Sequence, residues 1–393
     1  MTMARRGLSK NKLLILGCCW IGFGRVAKAL SPSQAIEGVG EVVPKEEICL
    51  PCDSIFSKLE PSGKGGKLFQ TVQVRERGEP KSGTGFMFSW AGGTLVRTCR
   101  YLQWAFGENS CMVEAASVVP ASNGKQKSNN FTLVFDPTLG YDDARCNCDS
   151  VDRVTITISR YQKHNLPVHR TCTYTHRGGI DTNILRSPNG NETSGTVCSF
   201  DDGSPVKNYD DLRRCVHEAA CPIDDGWHQM AIFRDPRPVT VSAFYHLRRN
   251  DWQSSYSGTV DDWVAALLPV MTQWVAVRHI LFEEIIDDQA TSFWYEDAVE
   301  DPIRWHNRWL QTIGLQLPIE IVQIMVDAAV AGDFGVGGKG FDAHPGSETV
   351  DNQVKTEVKK FEDEVSPPLL AIADDILRQW LPDVLLRRLE LTP

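Results

Sequence analysis

The sequence predicts an α/β protein with a mainly parallel central sheet flanked by helices. Three observations carry that reading. Strand-like and helix-like runs alternate along the chain, the pattern of βα units and a parallel sheet. Two strand–turn–helix units stand out, one across 68–106 and one across 229–249, each with a polar turn between a β-rich run and an apolar helical one. The composition, 42% hydrophobic and 23% charged over 393 residues, allows a sizeable core and argues against wholesale disorder. The net charge of −9 argues against a general nucleic-acid binder. It does not exclude a small anionic ligand, whose affinity depends on local cations and backbone amides.

Taken in order, the first 34 residues are expected to be a signal peptide or a membrane signal-anchor. Arg5, Arg6, Lys10 and Lys12 precede an apolar run over 13–24, the form of a secretory signal and short for a bilayer span. An organellar transit peptide is the alternative, since no acid appears before Glu37. Residues 35–66 read as irregular. A strand is expected over 68–74 and a helix over 86–106, joined by a turn that holds Lys81-Ser82-Gly83-Thr84-Gly85. The stretch 107–226 is less readable; 131–135 and 154–158 look like strands by β-branched and aromatic enrichment. Residues 187–207 read as a long surface loop. The second unit has its strand at 229–233, its turn at 234–238 and its helix at 239–249. Helices are expected over 260–276 and 301–313, with a short strand at 292–295 between them. Six glycines over 332–346 suggest a flexible loop. A charged helix over 350–365, a Pro367-Pro368 break and an amphipathic helix to about Leu391 close the chain.

Twelve cysteines, ten of them beyond Cys18 and Cys19, suit disulfides in an oxidising lumen, with connectivity left open by spacing. Sequons at Asn130 and Asn191 lean the same way. A zinc site from Cys49, Cys52, Cys146 and Cys148 is the rival use, although C-x-C is not the usual ligand spacing. Cys49 and Cys52 as a thioredoxin-like pair lack the strand–helix context. Trp263, Trp274, Trp294, Trp305 and Trp309 read as core residues, with room for one or two to line a pocket.

The chemistry concentrates in the two turns. Small residues at 82–85 let backbone N–H groups converge on an anion at a helix N-terminus, while Lys81 adds charge and Ser82 and Thr84 add hydroxyls. The Lys precedes the Gly, so this is not the Walker arrangement. Gly63 to Lys67 has glycines and lysines but no following Ser or Thr, and reads as a solvated turn. Arg234 stands at a strand's C-terminal end, where α/β sheets bind ligands. Asp235 and Pro236 are helix-start residues. Ser242, eight residues on (242 − 234), lies about two helical turns along.

Together these segments resemble the PAPS-dependent sulfotransferases, PAPS being 3′-phosphoadenosine-5′-phosphosulfate. Pro80-Lys81-Ser82-Gly83-Thr84 matches the loop that binds the 5′-phosphosulfate in that family. Arg234-Asp235-Pro236-Arg237…Ser242 matches its 3′-phosphate segment in order and spacing. Tyr295-Glu296-Asp297 resembles its Y-E-D segment, Gly314-Leu315 its following Gly-Leu, and Gly338-Lys339-Gly340 its late R-K-G element, with Gly338 in place of the Arg. The resemblance covers roughly 72–340 and implies a P-loop-like sulfotransferase architecture over 67–346, an insertion at about 107–226 and C-terminal helices over 347–393.

It further implies that Lys81 stabilises the leaving phosphate and that Ser82, Gly83, Thr84 and Gly85 cradle the 5′ end. Arg234, Ser242, Lys339 and Gly340 would hold the 3′-phosphate, with Phe86 near the adenine. Transfer needs a base; His164 is the first candidate, with His169, His176 or a carboxylate as rivals. PAPS is the expected co-substrate, with no metal, and a hydroxyl or amine the acceptor group, on a carbohydrate, a protein or a small metabolite. The expected location is the secretory pathway, in the Golgi lumen, with N-terminal membrane anchoring or a plastid or cytoplasmic location as alternatives. Rival readings are a small-molecule kinase and a non-catalytic PAPS binder. The separation of Lys81 from Arg234, 153 residues (234 − 81), exceeds that of compact members of the family.

Overall fold

The computed structural model describes residues 49–61, 68–78, 84–117, 128–161, 168–169, 179–180, 197–222, 226–249, 258–286, 288, 290–330 and 361–391. It is a mixed α/β structure whose seven-stranded central sheet has mostly parallel strands. The sheet comprises β1 (Glu60–Pro61), β2 (Leu68–Gly78), β3 (Cys111–Ser117), β4 (Ser128–Phe135), β5 (Val151–Tyr161), β10 (His228–Phe233) and β11 (Ala290–Trp294). Their order is β11-β10-β2-β5-β4-β3, with β1 paired to the start of β2, before the stretch that β10 reaches. The neighbours β11, β10, β2 and β5 run parallel, and β4 turns antiparallel against β5 and β3. Four short strands, β6 (Val168–His169), β7 (Gly179–Ile180), β8 (Cys198–Ser199) and β9 (Cys221–Pro222), pair off this sheet as β6 with β9 and β7 with β8.

Helices cover both faces, so the central strands are apolar on both sides, as buried parallel strands must be. Along β10, Met230 and Ile232 join one core with Phe293, while Ala231 and Phe233 join the other with Trp294. The first core is roofed by α1 (Cys52–Ile55), α2 (Thr84–Phe106), α6 (Tyr295–Glu300), α7 (Pro302–Thr312) and α8 (Ile319–Val330). The second lies under α3 (Tyr209–Ala219), α4 (Pro236–Arg249), α5 (Val260–Ile280), α9 (Pro367–Trp380) and α10 (Asp383–Arg388). All five tryptophans named above are buried in these cores.

Helix α5 is long and apolar enough to cross a membrane by length and composition, yet most of it is buried in the second core. A capping box sets its start: Asp262 N–H donates to the Thr259 hydroxyl, and Thr259 N–H donates to the Asp262 carboxylate. At its far end it continues into a π-helical turn over Leu281–Ile285. Gly107 ends α2 with φ +101°, and a Cβ there would lie 2.0 Å from the Gly140 carbonyl oxygen, so only glycine fits.

Several expectations change. Strands β3, β4 and β5 lie within the span read as an insertion, yet they build one whole side of the sheet, with β5 directly beside β2. Helix α3 appears where no helix was expected. The closing helix starts at Pro367 itself and stops at Trp380, because Pro382 cannot donate and its ring disfavours a helical residue before it; α10 then restarts. Asn130 sits within β4, bonded on both sides, with its amide oxygen shielded from solvent, a poor place for a bulky glycan. Residues 1–34, Asn191, 332–346 and most of the expected charged helix lie outside the described residues.

The cysteines pair as Cys49–Cys146, Cys52–Cys148, Cys99–Cys111 and Cys198–Cys215. The four candidates for zinc are thus joined crosswise in two disulfides, and Cys49 does not pair with Cys52 as a redox motif would require. Four such pairs point to an oxidising, secretory-type environment. Cys221 is the one free cysteine among the described residues.

The first two bonds span 97 and 96 residues and close almost the same loop. Removing one alone therefore changes the unfolded chain little, whereas removing both costs about 4–5 kcal/mol for a loop of that length. Peptide mapping without reductant is expected to recover all four pairs. In urea, Cys49→Ser is expected to lower the midpoint slightly and Cys49→Ser/Cys52→Ser severely. Equal losses in the single and double variants would contradict the crosswise pairing.

Candidate functional site

The site is built by strand register. Gly78 of β2 lies opposite Ile232 of β10, and Phe233 lies opposite Trp294 of β11. On the other side Glu76 lies opposite Arg160 of β5. Four parallel strands therefore end at one edge, about 4.8 Å apart from neighbour to neighbour. Each of these strand ends leads into a segment with candidate site residues. Residues 79–83 come after β2, Arg234 and Asp235 after β10, and Tyr295 and Glu296 after β11, while His164 comes three residues after Tyr161 (164 − 161).

The helices after β2 and β10 leave in opposite directions. Leu95 and Leu102 of α2 pack into the first core, whereas Val239, Val241 and Phe244 of α4 pack into the second. Helices that diverge after adjacent parallel strands open a crevice between them, the place where open α/β sheets bind ligands. The 23-residue α2 begins at Thr84, with no acidic residue in its first turn to oppose an anion. Gly85 and Phe86 belong to that first turn.

Arg234 is buried at the crevice, its guanidinium carbon 4.3 Å above the Tyr295 ring. Asp235 caps α4 as expected, its Oδ1 accepting the Arg237 N–H at 2.9 Å. Its carboxylate is also forked by the Arg237 side chain, with Nε 3.0 and 3.1 Å from the two oxygens and Nη2 2.8 Å from Oδ2. Burial works against the Arg237 charge, but Asp235, Asp374 and Glu362 together outweigh it and raise the pKa. Ser242 is half-buried in the second turn of α4.

Glu296 is the site residue whose importance was not read from sequence. Its Oε1 accepts the Asp235 N–H at 3.0 Å, and its Oε2 is shielded from solvent without a hydrogen-bond partner. Burial pushes its carboxyl up to about 7, against the opposing pull of the Asp235 N–H and Arg234. Near neutral pH it therefore carries only part of a negative charge beside Arg234, which leaves the crevice more receptive to an anion. Arg237 likewise stands in a matched segment with no role of its own. The motif matches mark both positions, but their partners lie far off in sequence and leave no local signal.

The remaining candidates divide by location. His169 lies in β6, opposite Cys221 of β9 and off the central sheet. Lys81, Ser82, Gly83, His164, His176, Lys339 and Gly340 lie outside the described residues. Among the described residues, no group of three or more His, Cys, Asp or Glu could hold a metal. Comparison of the chain with protein-family models gives no match, nor does comparison with curated proteins.

Glu296 also sets a pH dependence. Its folded pKa of about 7 lies above its ordinary value of 4.5, so the folded state binds the proton more tightly than the unfolded chain. That contribution is complete below about pH 4.5 and is lost as pH rises through about 7, at most about 3 kcal/mol at 1.36 kcal/mol per unit. Glu296→Gln keeps an acceptor for the Asp235 N–H but cannot ionise. Thermal melts of this variant between pH 5 and 8 are expected to lack a decline seen in the parent; parallel profiles would refute the assignment.

Proposed function

We propose that the chain is a sulfotransferase that takes a sulfuryl group from PAPS to an acceptor hydroxyl or amine. The observation that carries this reading is the shared edge: β2, which the Lys81 segment follows in sequence, and β10, which Arg234 follows, are neighbouring parallel strands whose helices pack on opposite faces. An anion with two separated phosphate groups suits that donor set. One end would meet backbone amides and cations after β2, the other the buried Arg234 guanidinium. The segment with His164 comes after β5, on the opposite side of β2 from Arg234. A base there would stand at the 5′ end, away from the 3′-phosphate.

In PAPS the bond between sulfur and the bridging phosphate oxygen is the one that breaks, so adenosine 3′,5′-bisphosphate leaves as the acceptor oxygen or nitrogen gains the sulfuryl group. The chain's part is positioning and charge neutralisation, which dominate transfers of this kind. Lys81 would neutralise charge at the bridging oxygen, and Ser82, Gly83, Thr84 and Gly85 would hold the 5′ phosphate with hydroxyl and amide donors. Phe86 would lie against the adenine. Arg234 and Ser242, with Lys339 and Gly340, would hold the 3′-phosphate. His164 would take the acceptor's proton. The disulfides support a lumenal setting in the secretory pathway, where a carbohydrate or protein acceptor fits best.

Transfer of labelled sulfate from PAPS to a panel of carbohydrate, peptide and small hydroxyl acceptors tests this. Lys81→Ala is expected to lower transfer by about 100-fold or more, the scale of losing one preorganised charge partner. Arg234→Ala is expected to weaken PAPS binding by roughly 10- to 100-fold, as for a hydrogen bond to a charged group. Full transfer by Lys81→Ala would overturn the assignment, and PAPS binding without transfer to any acceptor would make the chain a binding protein.

A further inference from the structure

The turn that carries Arg234 is fastened from outside the sheet. Besides forking Asp235, Arg237 donates through Nη2 to the Leu389 carbonyl at 3.3 Å and brings Nη1 within 3.6 Å of Asp374. Asp374 belongs to α9, and Leu389 closes α10. Carbonyls in a helix's last turn lack partners within the helix, so Arg237 meets a need already present there. The next residue, Glu390, stands at φ +60°, a left-handed conformation uncommon outside glycine, and ends the helix at this point.

A second arginine works in the reverse direction. Arg388 of α10 pairs with Asp297 of α6, and its guanidinium carbon lies 4.8 Å over the Trp294 ring at the end of β11. Asp297 adjoins Glu296, which holds the Asp235 N–H. The contacts close into a ring that runs from Asp235 to Arg237, on to Leu389 and Arg388, then to Asp297 and Glu296, and back to Asp235. Its members come from three separate parts of the chain. The ring passes through Asp235, the residue after Arg234, and joins the segments at the ends of β10 and β11.

We propose that the C-terminal helix pair is part of the anion site, with Arg237 and Arg388 as positioning residues that hold Arg234 where a 3′-phosphate is bound. The proposal rests on the sulfotransferase reading; it gives a part to Arg237, which stands in the matched segment without one, and to Arg388, which lies outside the span of the resemblance. Neither arginine need touch the ligand. Their own charges are matched by Asp235 and Asp374 on one side and by Asp297 on the other. The 3′-phosphate contact is the part the family resemblance gives to Arg234, which directly precedes Asp235 of the ring and whose guanidinium lies over Tyr295.

The test uses the full chain and two probes, adenosine 3′,5′-bisphosphate and adenosine 5′-phosphate, with affinities read by calorimetry or ligand NMR. Arg388 is about one-third exposed, so Arg388→Leu is expected to fold with little change in melting temperature. This variant is expected to bind the bisphosphate about tenfold more weakly, a shift of about 1.4 kcal/mol, and the 5′-phosphate unchanged. Arg388→Lys, which restores a cation opposite Asp297, is expected to recover most of the loss. Arg237→Lys, which loses the fork to Asp235, is expected to repeat the selective loss. An equal loss for both probes would indicate general destabilisation and overturn the brace, as would no loss for either. If the unaltered protein binds neither probe, the sulfotransferase reading itself fails; binding of the bisphosphate by the parent and all variants alike refutes the brace alone.

Discussion

The register between β2 and β10 is the constraint on which the site depends. Pairing Ile232 with Gly78, 154 residues apart in the chain (232 − 78), brings the end of β2 and the turn after β10 to the same edge, one strand spacing from each other. A slip of one residue would turn Met230 and Ile232 out of one core and Ala231 and Phe233 out of the other. Because both faces of the sheet are packed, the hydrophobic pattern that stabilises the fold also holds the site in alignment.

Charge at this edge is managed rather than accumulated. Arg237 and Arg388 are matched by carboxylates, and Glu296 is partly neutralised by burial. In a chain with a net charge of −9, the proposed anion site would depend on such local pairing and not on the total charge. The same burial that costs Glu296 its charge lets it serve as an acceptor for the backbone that carries Arg234.

Legibility in the sequence tracked the range of the forces involved. The β10–α4 unit was readable because an apolar run, an aspartate cap and a proline at the helix start are local signals. Strand β3, with Glu114, Ala115 and Ala116, has little strand propensity of its own; pairing with β4 and the Cys99–Cys111 bond make it one. Helix α3 was hidden by its polar surroundings, although Asn208 caps it by accepting the Asp211 N–H. In the site, Arg234 was legible from its place after a strand. The roles of Arg237 and Arg388 were not, since the Arg237 contact with Leu389 spans 152 residues and leaves no periodic trace.

The two long-range disulfides also order events in time. Once Cys148 has left the ribosome, both bonds from Cys49 and Cys52 can close, and β5 soon emerges to pair with β2. The other edge of β2 must then wait for β10. At about 5–20 residues per second, the 80 residues from Cys148 to the start of β10 (228 − 148) take roughly 4–16 s to make. During that interval the part of the sheet that contains β2 is already crosslinked, with one strand edge open to solvent. The crevice is thus completed from one side, by a late strand docking against an early one held ready for it.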